Sequence, residues 1–181
     1  RDNRVIYVGS LSKSLAPGLR VGYVVAAPAL ITELRALRRL MLRHPSTLIQ
    51  RAFALFLSLG HHDAQLRRLA VAQRERGDAV LRALALHLPS CRVAPIVGGG
   101  SCWVALPPGI DAGELTERAA EKGVLLEPGD VFFAAARPPG GYLRLGYQSI
   151  TVEAIEPGMR RLAEALAAMQ HAASGHLCAG P

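Results

Sequence analysis

Residues 8–25 read VGSLSKSLAPGLRVGYVV, and this stretch decides the fold. Two short runs rich in valine and tyrosine, residues 4–9 and 21–26, flank a segment containing Ala16-Pro17-Gly18, so the pattern is strand, loop, strand. The chain has 19 arginines and two lysines, and one of those lysines, Lys13, stands in this loop seven residues before Arg20. The two residue types do different chemistry. Lysine offers an amine that can lose its proton, whereas arginine offers a permanently charged planar fork.

An amine nucleophile must be partly deprotonated near neutral pH, which desolvation or a neighbouring cation favours. A carbonyl cofactor that carries a phosphate also needs hydroxyls, backbone amides and an arginine fork to hold that phosphate. Ser10, Ser12, Ser14 and Arg20 supply such a set around Lys13. Two other readings of the same residues stand beside this one. A loop lysine is most often a solvated charge. Ser10-Leu11-Ser12-Lys13 also matches the SxxK of serine acyl-transfer enzymes, but the companion SDN and KTG elements are missing, since the only asparagine is Asn3. Pro17-Gly18 would moreover break the helix that SxxK occupies.

Working outward, Leu30, Ile31, Leu34, Leu37 and Met41 follow helical spacing from Pro28, with Pro45 ending that helix and Ser46 or Thr47 capping the next. Gly60 closes the second helix, and residues 62 to about 87 form a long amphipathic one stopped by Pro89. Beyond Pro89 the texture changes. CRVAPI and SCWVAL flank Gly98-Gly99-Gly100 as a hairpin, AGELTERAAEKG is a helix, VLLEPG and YLRLGY are strands, and residues 152 to about 170 are a last helix. The final HAASGHLCAGP has no periodicity and is expected to be loose.

The composition, 50% hydrophobic and 19% charged, is that of an ordinary globular protein. No apolar run is long enough for a membrane helix, and the start has neither methionine nor a signal-peptide core, so the sequence reads as a cytoplasmic piece of a longer protein. The net charge of +7 resides in the first half, with 15 basic and 5 acidic side chains in residues 1–92. Arg35, Arg38 and Arg39, like Arg67, Arg68, Arg74 and Arg76, fall on helical repeats without interleaved aromatics, which reads as solvated helix faces in preference to a nucleic-acid surface. Cys91, Cys102 and Cys178 have no CxxC spacing, and the adjacent His61 and His62 do not present two nitrogens well to one ion, so no metal site is expected. Trp103 and the Phe132-Phe133 pair are expected to pack in the core or on strands, and Glu127-Pro128-Gly129-Asp130 is first a turn signature and second a site-lining one.

The stretch VGSLSKSLAPGLRVGY resembles the lysine loop of fold-type I pyridoxal-phosphate aminotransferases, in which a small-x-Ser-Lys element precedes Gly-x-Arg-x-Gly. The resemblance implies that Lys13 is the catalytic Schiff-base amine and that Ser10, Ser12 and Arg20 bind the cofactor's phosphate end. The run from GGGSCWVALPPGID through EPGDVFFA, YLRLGYQSI and AIEPGMRRLAEAL resembles the small domain of the same family. There the arginine of the LRLGY strand grips the substrate α-carboxylate, which implies that role for Arg144. Leu143 and Leu145 alternate with Arg144 and place it on the opposite strand face.

The expected fold is therefore α/β, the C-terminal part of a fold-type I aminotransferase. Residues 1–60 would complete the large cofactor domain, 61–171 would form a linking helix and a small α+β domain, and 172–181 a flexible tail. Among family members the wording is most similar to the aminotransferase-like body of MocR/GntR-type regulators, apart from Ala27 inserted before Pro28. That implies a body sensing an amino compound through pyridoxal phosphate, dimeric when intact, with DNA bound through an N-terminal winged-helix domain. The alternatives are a catalytic aminotransferase and an inactive packing remnant. The family's pyridinium-pairing aspartate and ring-stacking aromatic lie upstream of Lys13, so these 181 residues alone are expected to bind the cofactor weakly or not at all; a saturable cofactor absorbance would refute this.

Overall fold

The computed structural model describes residues 4–134 and 141–177. The chain divides into two compact units, Arg1–Ala70 and Val71–Pro181. The division lies within the long helix that begins at His61.

In the first unit, strands β1 (Tyr7–Ser10) and β2 (Gly22–Val25) pair antiparallel, with Ser10 opposite Gly22. Glycine at 22 is a matter of space: a Cβ there would fall 2.8 Å from the Gly9 carbonyl oxygen. Helix α1 (Pro28–Leu42) starts with proline at its first position, where the missing N–H costs nothing. It ends ahead of Pro45, and Ser46 then caps α2 (Thr47–Ser58), its Oγ accepting from the Ile49 N–H at 3.4 Å. Gly60, at φ 74°, ends α2, and α3 (His61–His87) begins at once. The two histidines at that junction pack on aromatics, His61 against Phe56 and His62 against Phe53.

The second unit is a four-stranded antiparallel sheet in the order β3 (Arg92–Val93), β4 (Ser101–Ala105), β6 (Tyr142–Gly146), β5 (Glu127–Pro128). The expected strands over CRVAPI and VLLEPG shrink to two paired residues each. Both are edge strands, and Pro128 has no N–H to continue a ladder. Helices α4 (Ala112–Glu121) and α5 (Val152–Leu177), with the Val71–His87 part of α3, complete the unit. Asp111 caps α4, its carboxylate accepting from the Glu114 N–H at 2.8 Å. The backbone of α5 continues to Leu177, past the expected stop near 170, and residues 178–181, including Cys178, lie outside the described residues.

The core of this unit follows the period-2 pattern of its strands. Cys102 and Val104 of β4, and Leu143 and Leu145 of β6, are buried together with Val80, Leu84, Leu115, Ala119, Leu162 and Leu166 from the three helices. Tyr147, 1% exposed, closes the sheet end: its hydroxyl donates to the Gly99 carbonyl at 3.1 Å and its N–H to the Gly100 carbonyl at 2.8 Å. Burial raises its phenol pKa, so the donor stays protonated. Burial likewise pushes the Cys102 thiol up to about 11, so this cysteine is a packing residue and not a nucleophile.

Candidate functional site

The first group of candidate residues lies on the loop between β1 and β2. Leu11 anchors it: the side chain is 5% exposed, and its N–H extends the ladder to the Val21 carbonyl at 3.0 Å. The Leu11 carbonyl then accepts from the Leu15 N–H at 2.9 Å, which closes one helical turn around Ser12, Lys13 and Ser14. Ser10 Oγ accepts from the Ser12 N–H at 3.3 Å. Ser10, Lys13 and Arg20 are exposed, and Ser12 and Ser14 are half-buried.

The return half of the loop is a short 3-10 turn, Pro17–Leu19, after which Arg20 adopts the left-handed region at φ 50°, ψ 41°. A non-glycine residue costs about 1–2 kcal/mol there. Because Ser10 pairs with Gly22, the two arms of the loop are held side by side, and the hydroxyls of one arm share the loop with the guanidinium of the other. The donors suit a phosphate monoester: hydroxyls, a permanently charged fork, and a lysine between them.

The second candidate, Arg144, is central in β6, between Trp103 of β4 and Glu127 of β5 in register. As the strand pattern predicts, its neighbours Leu143 and Leu145 enter the core, and Arg144 is on the other face, half-buried. That face is aromatic. Trp103 and Tyr142 stack at 5.5 Å, Trp103 meets Phe132 and Phe133 at 5.8 and 5.9 Å, and the Arg144 guanidinium lies over Phe132 at 5.7 Å. Arg144 Nη1 donates to Glu127 Oε2. A cleft of about 260 Å³ lies alongside, lined by Leu125, Leu126, Glu127, Arg144 and Gly146.

Residues 1–162 match the aminotransferase class I and II family. The chain belongs to that family.

Among relatives, this aminotransferase-family chain is 45% identical over 163 residues to the HTH-type transcriptional regulator TauR of Rhodobacter capsulatus, covering 90% of the chain and 34% of the regulator. It is similar to LysN, the alpha-aminoadipate aminotransferase of Thermus thermophilus solved with N-(5'-phosphopyridoxyl)-L-leucine. There the TM-score is 0.86 at 36% identity over 92% of this chain and 43% of that one. The multiple substrate aminotransferase of Thermococcus profundus gives 0.88 at 34% identity, over 94% and 42%. The chain thus spans about a third to two-fifths of the length of these proteins, and its fold is the corresponding portion of a fold-type I aminotransferase.

The structure brings Ser10, Ser12, Lys13 and Arg20 together on one loop and puts Arg144 on a rigid central strand. Two features escaped the sequence reading. Trp103, Phe132 and Phe133 pack on the sheet as expected of strand aromatics, yet the cluster reaches Arg144, with Trp103 its cross-strand neighbour and Phe132 under its guanidinium. Glu127, read mainly as part of a turn, is the direct partner of Arg144. Its position just before a proline, which favours extended backbone, was the one available signal.

Proposed function

We propose that this chain is part of a pyridoxal-phosphate-binding body of a MocR/GntR-type regulator that senses an amino compound. The observation that carries the reading is the β1–β2 loop, where Ser10, Ser12 and Lys13 on one arm and a left-handed Arg20 on the other share one loop. The 45% identity to TauR supports a regulator in particular. Pyridoxal phosphate, when bound, supplies a carbonyl for reaction with amines and a ring that withdraws electrons.

The chain's own residues have separate tasks in this reading. Ser10 and Ser12 donate hydroxyl hydrogens to the phosphate, and Arg20 forks onto it, its strained backbone fixing where the guanidinium emerges. Lys13, carried on the turn that the Leu11–Leu15 hydrogen bond closes, presents its amine to the cofactor carbonyl. Arg144 pairs with the carboxylate of the amino compound from a strand whose other face is locked in the core. The intact protein would be a homodimer and would meet DNA through an N-terminal domain. A second reading, a catalytic aminotransferase, is favoured by the likeness to LysN with its phosphopyridoxyl-leucine ligand; in it Lys13 also moves the proton at the substrate α-carbon.

Both readings share one test. Borohydride reduction of the intact protein with pyridoxal phosphate, followed by peptide mapping, should label Lys13; label on Lys122 instead would overturn the assignment. In the same protein Arg20→Gly relieves the left-handed backbone and removes the fork. Cofactor affinity should fall about ten- to a hundredfold, the range for hydrogen bonds to charged groups, with no loss of fold stability. Unchanged affinity would remove Arg20 from the phosphate. Discriminating regulator from enzyme needs a further assay: amino-acid-dependent operator binding in one case, turnover of an amino acid with a 2-oxo acid in the other.

A further inference from the structure

Glu127 is held on Arg144 by more than charge. The two residues are directly opposite across β5 and β6. Pro128 keeps Glu127 extended. Gly129, buried behind it, lets the turn lie flat on the sheet, since a Cβ there would come within 2.6 Å of the Tyr142 Cβ and 2.8 Å of the Trp103 ring. The backbone therefore places a carboxylate of the protein itself beside the guanidinium.

Resting on the assignment of Arg144 to a ligand carboxylate, we propose that Glu127 is an internal competitor for that arginine. It pairs with Arg144 in the absence of ligand, is displaced when an acid-bearing amino compound enters, and thereby sets how strongly the protein discriminates an amino acid from its neutral analogue. The pair is suited to exchange. Its side chains are 36% and 55% exposed, and exposed ion pairs shift an equilibrium by only about 1.4- to fivefold, so a ligand carboxylate can replace Glu127 without a large penalty. The adjoining cleft gives the displaced side chain somewhere to go. A Glu127 that merely oriented Arg144 would behave in the opposite way, because neutralising it would weaken acid binding.

The intact protein with pyridoxal phosphate is titrated with L-leucine and with L-leucinamide, and binding is followed by the change in cofactor absorbance. Glu127→Gln should tighten leucine about two- to fivefold and leave leucinamide unchanged; on an Arg144→Gln background the same substitution should change neither. If Arg144→Gln alone binds leucine as the unmodified protein does, the carboxylate assignment fails and this inference with it. If Arg144→Gln loses leucine but Glu127→Gln leaves it unchanged or weaker, the assignment stands and only the competitor role is overturned. Equal responses to leucine and leucinamide in every protein also overturn it.

Discussion

The two units stabilise their candidate residues by different means. Among the described residues, the first unit buries a single apolar side chain, Leu11, whereas Val5, Ile6, Tyr7, Val8, Leu40 and Met41 are all exposed. The second buries twenty in one cluster. Arg144 therefore projects from a strand whose other face is fixed by a packed interior, while Lys13 and Arg20 are on a loop fixed by one anchoring leucine and a few backbone hydrogen bonds. Apolar burial is the dominant favourable contribution to folding, so the second unit contains its own core, whereas the first exposes its apolar side chains in a chain that spans about a third to two-fifths of its relatives' length. Precision at a site can come from a core or from local geometry, and this chain uses one for each candidate group.

The largest expected effect breaks that contrast or confirms it. Leu143→Ala should cost about 2–5 kcal/mol in denaturant unfolding followed by circular dichroism, whereas Val24→Ala in the hairpin should cost less than about 0.5 kcal/mol. Comparable losses would erase the distinction. Gly129→Ala forces a methyl into Tyr142 and Trp103, so a loss of about 1–3 kcal/mol in the same assay is expected; a neutral result would mean that the turn can lift off the sheet. Tyr147→Phe removes the hydrogen bond to Gly99 while keeping the ring, and should cost about 1 kcal/mol by thermal unfolding. The smallest effect is expected at the surface. Lys122 pairs with Glu164 at 3.2 Å with both side chains well exposed, and Lys122→Ala should move stability by no more than about 0.5–1 kcal/mol.

Much of this was legible in the sequence because it is local. The strand, loop, strand pattern around Lys13, the cap at Ser46, the stop before Pro45 and the alternation of Leu143, Arg144 and Leu145 all follow from short-range rules about turns, caps and pleat. The shortened edge strands were less legible, because strand length depends on having a partner and β3 and β5 each have one on a single side. The extension of α5 to Leu177 ran against the absence of periodicity in its last turns. The partner of Arg144 was invisible for a different reason. Glu127 is seventeen residues away along the chain, and only the register in which β5 pairs with β6 brings them together. Likewise, a left-handed Arg20 is not written in the residue type, which ordinarily avoids that backbone region.

The sheet order has a practical consequence for handling the molecule. Its outermost strands are two residues long on either side, and one of them contains a proline. Each outermost strand therefore offers a neighbouring polypeptide a template of only two residues. Edge-to-edge pairing on this four-stranded sheet has only that short template, whereas the two-stranded sheet, in which β1 and β2 are both edges, offers four residues on each side.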